Sequence, residues 1–154
     1  MRELLLVLHI AGAVVLMGEL LFASLWLRSA MARGGEPALL RYTLATMQWT
    51  SKSFALPAIL VNLLTGLGLI HVGRISMHSM WFGTSILLYV IVTGLWHGFL
   101  IPLRKKTAAV IEGSGTDYVP MAKRWVSVSG VVILLLFAIL ALMVWKPGAL
   151  APLL

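Results

Sequence analysis

Apolar residues run along this chain in four long blocks, separated by shorter stretches that carry charge, glycine and proline. The blocks cover about residues 3–27, 54–70, 81–103 and 125–145. Roughly 20 apolar residues make a helix long enough to cross the hydrocarbon core, and about 17 is the lower limit. The pattern therefore predicts four transmembrane helices, the second the shortest. The first block exceeds the apolar core of a secretory signal, roughly 7–15 residues, so it is read as a retained helix.

The connections carry their own signals. Gly34-Gly35 breaks the chain after the first block, and Pro37 suits a first helical turn. Leu40, Leu44 and Met47 then recur at helical spacing, which predicts an interfacial lead-in or a helix continuous with the second span. Pro57 is expected to bend the start of that helix. Asn62, Thr65, Gly66 and Gly68 mark a face packed on protein, because small residues let helices approach closely. Residues 104–124 read as a polar loop with a flexible Gly113-Ser114-Gly115 tip. Trp125 and Trp145, at the two ends of the fourth block, fit an aromatic belt.

Composition narrows the picture to one solvent. Hydrophobic residues make up 60% and charged residues 11% of 154, with mean hydropathy +0.99. A soluble domain carries about a quarter charged residues, so lipid must surround most of this chain. The fold class is all-α: a single-domain, four-helix integral membrane bundle over residues 1–154. The chain has no cysteine, which excludes disulfides, thiolate ligands, iron–sulfur clusters and covalently attached haem.

Charge supplies orientation. Nine of the twelve Lys and Arg residues fall in the first and third connections, including Arg28, Arg33, Arg104, Lys105 and Lys106. Positive loops stay cytoplasmic, so both termini are expected outside. The net charge of +7 is read as topology and attraction to anionic lipid, and no nucleic-acid partner is expected.

This topology sorts the candidate chemistry. His9 lies roughly 9 Å inside the first helix from its outer end. An imidazole at that depth needs a partner. Gly12 beside it, with Gly66 and Gly68 at similar depth, would leave room for a flat cofactor. His9 is thus a candidate axial ligand of haem b, with Met143 at a suitable height for the second ligand. The alternative is a histidine hydrogen-bonded across the bundle. His97, inside Gly94-x-x-x-Gly98, is either a polar group on a packing surface or a second haem ligand on the inner side. His9, His71 and His78 share the outer side and are candidate metal ligands, with Met77 and Met80 keeping copper in view. The alternative for His71 and His78 is plain solvation. Glu19, near the middle of the first helix, must be protonated or paired, because lipid solvates no charge. It is a candidate proton relay or a quinone or cofactor contact; the alternative is a neutral acid hydrogen-bonded to a neighbouring helix through Asn62 or Thr65.

Several stretches resemble a bacterial family of predicted integral membrane proteins of unknown function. They are Leu8-His9-Ile10-Ala11-Gly12, Met17-Gly18-Glu19, Gly35-Glu36-Pro37, Phe54-Ala55-Leu56-Pro57, Ile101-Pro102-Leu103-Arg104 and Met143-Val144-Trp145-Lys146-Pro147. They occur in order and span nearly the whole chain. That family is distantly similar to the four-helix membrane-type protoporphyrinogen oxidase, on His9, His97 and Lys146-Pro147, and to the copper-resistance membrane proteins. The first resemblance implies haem b within the bundle, although Glu19 to Ser24 replaces the oxidase's aromatic and arginine-rich stretch. The expectations are therefore a haem-b-binding, redox-linked protein of the bacterial inner membrane, an accessory subunit of a respiratory or photosynthetic complex, or a copper-handling protein working as a homodimer.

Overall fold

The computed structural model describes residues 1–73, 79–113 and 115–146. The chain folds into α1 (Arg2–Ala32), α2 (Pro37–Thr50), α3 (Leu56–Gly73), α4 (Met80–Leu95), α5 (Ile101–Glu112) and α6 (Tyr118–Trp145). Single π-helical turns, Ser51–Ala55 and Trp96–Leu100, join α2 to α3 and α4 to α5. The described residues thus form four continuous rods, Arg2–Ala32, Pro37–Gly73, Met80–Glu112 and Tyr118–Trp145, each long and apolar enough to span a membrane.

The rods run well past the apolar blocks. The first is 31 residues long and the second 37, so they extend roughly 46 and 55 Å. The lead-in at Pro37 is continuous with the second span, as one of the two readings of its pattern expected. The third connection is helical on both sides, and only residues 113–117 lie between α5 and α6. Both differences have one cause. Hydropathy marks the stretch that lipid solvates, while a helix continues as long as its apolar face finds protein.

The two π turns stand where proline interrupts the ladder. Each ends two residues before a proline, Pro57 and Pro102. Inside a helix the proline ring offers no N–H and crowds the carbonyl four residues back. The wider turn relieves that crowding: the Leu56 N–H reaches the Ser51 carbonyl, and the Ile101 N–H reaches the Trp96 carbonyl. Pro57 therefore widens the rod locally without ending it.

The turn after α1 is a Schellman motif. The Gly34 N–H donates to the Met31 carbonyl at 3.2 Å and the Gly35 N–H to the Ala30 carbonyl at 3.3 Å. Both glycines have positive φ, 99° and 63°. Pro37 then opens α2 in its first turn.

Packing is tightest at the end carrying the basic connections, called the inner end from here on. Leu27, Leu40, Met47, Ile111 and Ala122 are buried there. Trp125 is buried with them, and its indole N–H donates to the Leu100 carbonyl at 3.0 Å. Trp125 is therefore a lock between rods and not part of a lipid-facing belt, whereas Trp145 is exposed. Exposed aromatics toward the inner end include Phe22, Tyr42 and Trp49. Ser24 and Ser129, both buried, bond to each other at 2.8 Å across α1 and α6.

Toward the outer end the arrangement opens. There α1 packs on α3 and on α6, and α6 packs on α4. Among the described residues, no Cα of α3 comes within 8 Å of one in α4, so these two helices stand further apart. Apolar side chains such as Leu4, Val7, Leu64 and Leu134 are exposed along these segments, as lipid contact requires.

Candidate functional site

Glu19 sits on the buried side of α1, between Leu16 and Ala23, near the level of the first π turn. Its Oε1 accepts the Ser51 hydroxyl at 3.0 Å. The Thr50 hydroxyl lies 3.0 Å from the same oxygen and 3.1 Å from the Met47 carbonyl, so its single proton is shared. Arg104, from α5, donates through Nη1 to Ser51 Oγ at 3.0 Å and to the Met47 carbonyl at 3.2 Å. An acid from one rod and a guanidinium from another are thereby joined through the hydroxyl of a third. Among the described residues they form no direct ion pair.

The geometry has two consequences. Because Oε1 accepts both hydroxyls, Oε2 can hold or lose a proton without breaking either bond. The guanidinium, one hydroxyl away, favours the charged form when the proton leaves. Glu19, Ser51 and Arg104 also line a cleft of about 10 Å³, between Trp96 and Trp125. That is about the space one water molecule needs, and the lining offers it several polar partners. π turns are frequent at functional sites, and here one supplies Ser51 while the other supplies Trp96.

The partners expected for Glu19 belong to His9 instead. His9 Nδ1 lies 3.1 Å from the Asn62 carbonyl and 3.1 Å from Thr65 Oγ1. Thr65 Oγ1 in turn bonds the Val61 carbonyl. The reason is register. In an antiparallel pair, each step inward on α1 meets an earlier residue on the second rod. His9 therefore meets residues 62–66, and Glu19 meets 50 and 51.

The glycines expected to leave a slot for a macrocycle are already filled. A Cβ on Gly12 would stand 2.8 Å from Asn62 Nδ2 and 3.3 Å from the Ala58 carbonyl. One on Gly66 would meet the His9 ring at 3.2 Å, and one on Gly68 would meet Leu5 at 3.1 Å. The small residues make room for α1 itself, so the His9 face does not fit a haem between the helices. Asn62 Nδ2, buried against Gly12, has no hydrogen-bond partner among the described residues.

The remaining candidates do not converge. Met143 is half-buried on α6 and His71 is exposed at the end of α3. His78 and Met77 lie outside the described residues. His97 is exposed, with Nδ1 3.1 Å from the Thr93 carbonyl of its own rod. Among the described residues, no three His, Asp or Glu side chains are grouped to hold a metal ion.

Thr50, Ser51, Trp96 and Arg104 were not singled out by the sequence. Arg104 read as one more topology charge; its place two residues beyond Pro102, directly after an apolar block, was the available signal.

A family model described as predicted integral membrane protein (DUF2269) matches residues 3–147. The chain belongs to this family. Family membership supports the membrane assignment and carries no activity with it. No match was found among curated proteins or among solved structures.

Proposed function

We propose that this member of the family is a proton-exchanging protein of the bacterial inner membrane, with Glu19 as the group that takes up and releases the proton at the inner end. The single supporting observation is the Glu19–Ser51–Arg104 chain beside a water-sized cleft. An ionisable group within a membrane span is expensive unless it is partnered or used. Here the partners leave one carboxyl oxygen uncommitted, which suits a group that changes state. Ser51 positions the carboxyl, and Arg104 compensates its charge.

Haem and copper have no place in this reading. The His9 ring is packed on Gly66 and bonded to Asn62 and Thr65, and among the described residues neither His71 nor His97 brings a second ligand to it.

Carbodiimide labelling of the reconstituted protein tests the proposal. A protonated carboxyl adds its O–H across one C=N bond of the reagent, and the adduct rearranges to a stable N-acylurea carrying the whole reagent. Glu19 should gain one reagent mass at low pH, and labelling should fall as pH rises and the proton leaves. Absence of label on Glu19 at every pH, in protein whose Glu3 or Glu36 is labelled, would count against it.

A second reading, association with a further membrane subunit or a second copy, is favoured by one face of the third rod. Gly83, Gly94 and Gly98 point outward, with nothing within 4 Å of a Cβ on any of them. Helices dock closely on such faces. Gly94→Ile should then shift the protein to a smaller species in mild detergent, and an unchanged mass would remove this reading.

A further inference from the structure

The outer surface of the second rod, where α2 meets α5, takes no part in the Glu19 centre. We infer that this surface binds an anionic phospholipid, with its head between Lys52 and Lys105 and its acyl chains along α3. The inference does not depend on proton exchange at Glu19.

Three observations carry it. First, one exposed stripe runs along the second rod and changes character once. Leu56, Leu60, Leu63 and Leu67 recur every three or four residues and are all exposed. From Leu56 to Leu67 is about 16 Å along the rod, close to the hydrocarbon depth of one leaflet. Further inward the same stripe holds Trp49 and Tyr42, 61% and 63% exposed. Trp49 stands edge-to-face with the exposed Phe54, their ring centroids 5.9 Å apart. Exposed aromatics at the end of a lipid-facing stripe mark the headgroup level.

Second, two cations meet at that level. The Arg104–Ser51 hydrogen bond of 3.0 Å ties the start of α5 to the first π turn. Lys52 and Lys105 each follow one of these two residues, and both are exposed. Lys52 stands four residues, about 6 Å, inward of Leu56, where a phosphate would sit above its chains.

Third, nothing anionic answers these charges. The second rod, Pro37–Gly73, contains no Asp or Glu. The acid of α5 is Glu112, seven residues or about 10 Å beyond Lys105. Among the described residues, neither lysine is paired with an acid.

The surface therefore combines two unpaired ammonium groups, an aromatic ledge and an apolar stripe one leaflet deep. A zwitterionic head brings no net charge to the lysines, whereas an anionic phosphodiester does. An acidic protein segment would answer the lysines and leave the stripe unexplained.

Bromolipid quenching of the full chain in vesicles tests this, because the absence of cysteine allows a single label. Leu60→Cys carries a bimane, and the vesicles mix phosphatidylcholine and phosphatidylglycerol with one of them brominated at mid-chain. Leu134→Cys is the reference: it is exposed on α6, and no Cα of α6 comes within 8 Å of the second rod among the described residues. At Leu60→Cys, brominated phosphatidylglycerol should half-quench at about a three- to tenfold lower mole fraction than brominated phosphatidylcholine, the range one lysine near the surface gives. Lys52→Gln and Lys105→Gln should each lower this preference, and together abolish it, with quenching at Leu134→Cys unchanged. Equal quenching by the two lipids at Leu60→Cys, or a preference that survives the double substitution, would overturn the inference. So would the same preference and the same loss at Leu134→Cys, which would report only the overall charge of the surface. Quenching by neither lipid would mean that protein covers the stripe, and would overturn it as well.

Discussion

Ser51 shows how much one side chain can hold together. Its hydroxyl donates to Glu19 and accepts from Arg104, so it alone joins two charged groups from different rods. Ser51→Ala is expected to cost about 1–3 kcal/mol, because it strands two polar groups at once. Thr50→Ala should cost less, since that hydroxyl divides its proton between Glu19 and Met47. Reversible unfolding in mixed micelles would compare them, and an equal cost would contradict the bridging role. The glycines give a parallel contrast. Gly12→Ala drives a Cβ against Asn62 and the Ala58 backbone and should cost about 1–3 kcal/mol. Gly18→Ala meets nothing and should be neutral or slightly stabilising by the same measurement. The sequence made His9 and Glu19 legible as groups in need of partners, since few ionisable residues interrupt the apolar blocks. It did not make the partners legible, because they depend on how far one antiparallel rod slides past the other, and that register leaves no mark in a hydrophobic pattern.

At the scale of elements, the long apolar blocks located all four spans but not where the rods end. Residues 28–32, 37–53 and 104–112 continue as helices whose buried faces pack on one another outside the apolar blocks. A mixed stretch containing Arg28, Arg41 or Lys105 reads as a loop when only lipid solvation is considered. Once Leu27, Leu40 and Ile111 meet, it is the solvated side of a helix. The π turns were legible only in part: Pro57 pointed to a disturbance, and packing turned that disturbance into a wider turn. The Gly34-Gly35 break was legible and has a measurable consequence. Gly34 holds φ at +99° with open space around it, so Gly34→Ala brings backbone strain and no clash. It should cost about 1–2 kcal/mol, read as a lowered unfolding midpoint. An unchanged midpoint would mean that the turn can adopt another geometry.

The whole molecule is a bundle closed at its inner end and open between two rods at its outer end. The closed end holds the Glu19 centre and its partners. Orientation ties this asymmetry to the cell, and the absence of cysteine makes it directly testable. Asp117→Cys, between α5 and α6, should react with an impermeant maleimide only when the cytoplasmic face is exposed. Lys146→Cys, just past α6, should react from outside intact cells. The reverse pattern would invert the bundle and put the Glu19 centre on the external side.

The central claim is that Glu19 changes protonation state within the folded bundle. Infrared difference spectroscopy of the reconstituted protein, stepping the pH between about 4 and 10, reads that carboxyl directly. The account predicts a protonated-carboxyl band that fades as pH rises, shifts in heavy water and vanishes in Glu19→Gln. A spectrum with no Glu19→Gln-sensitive band across that range would contradict it.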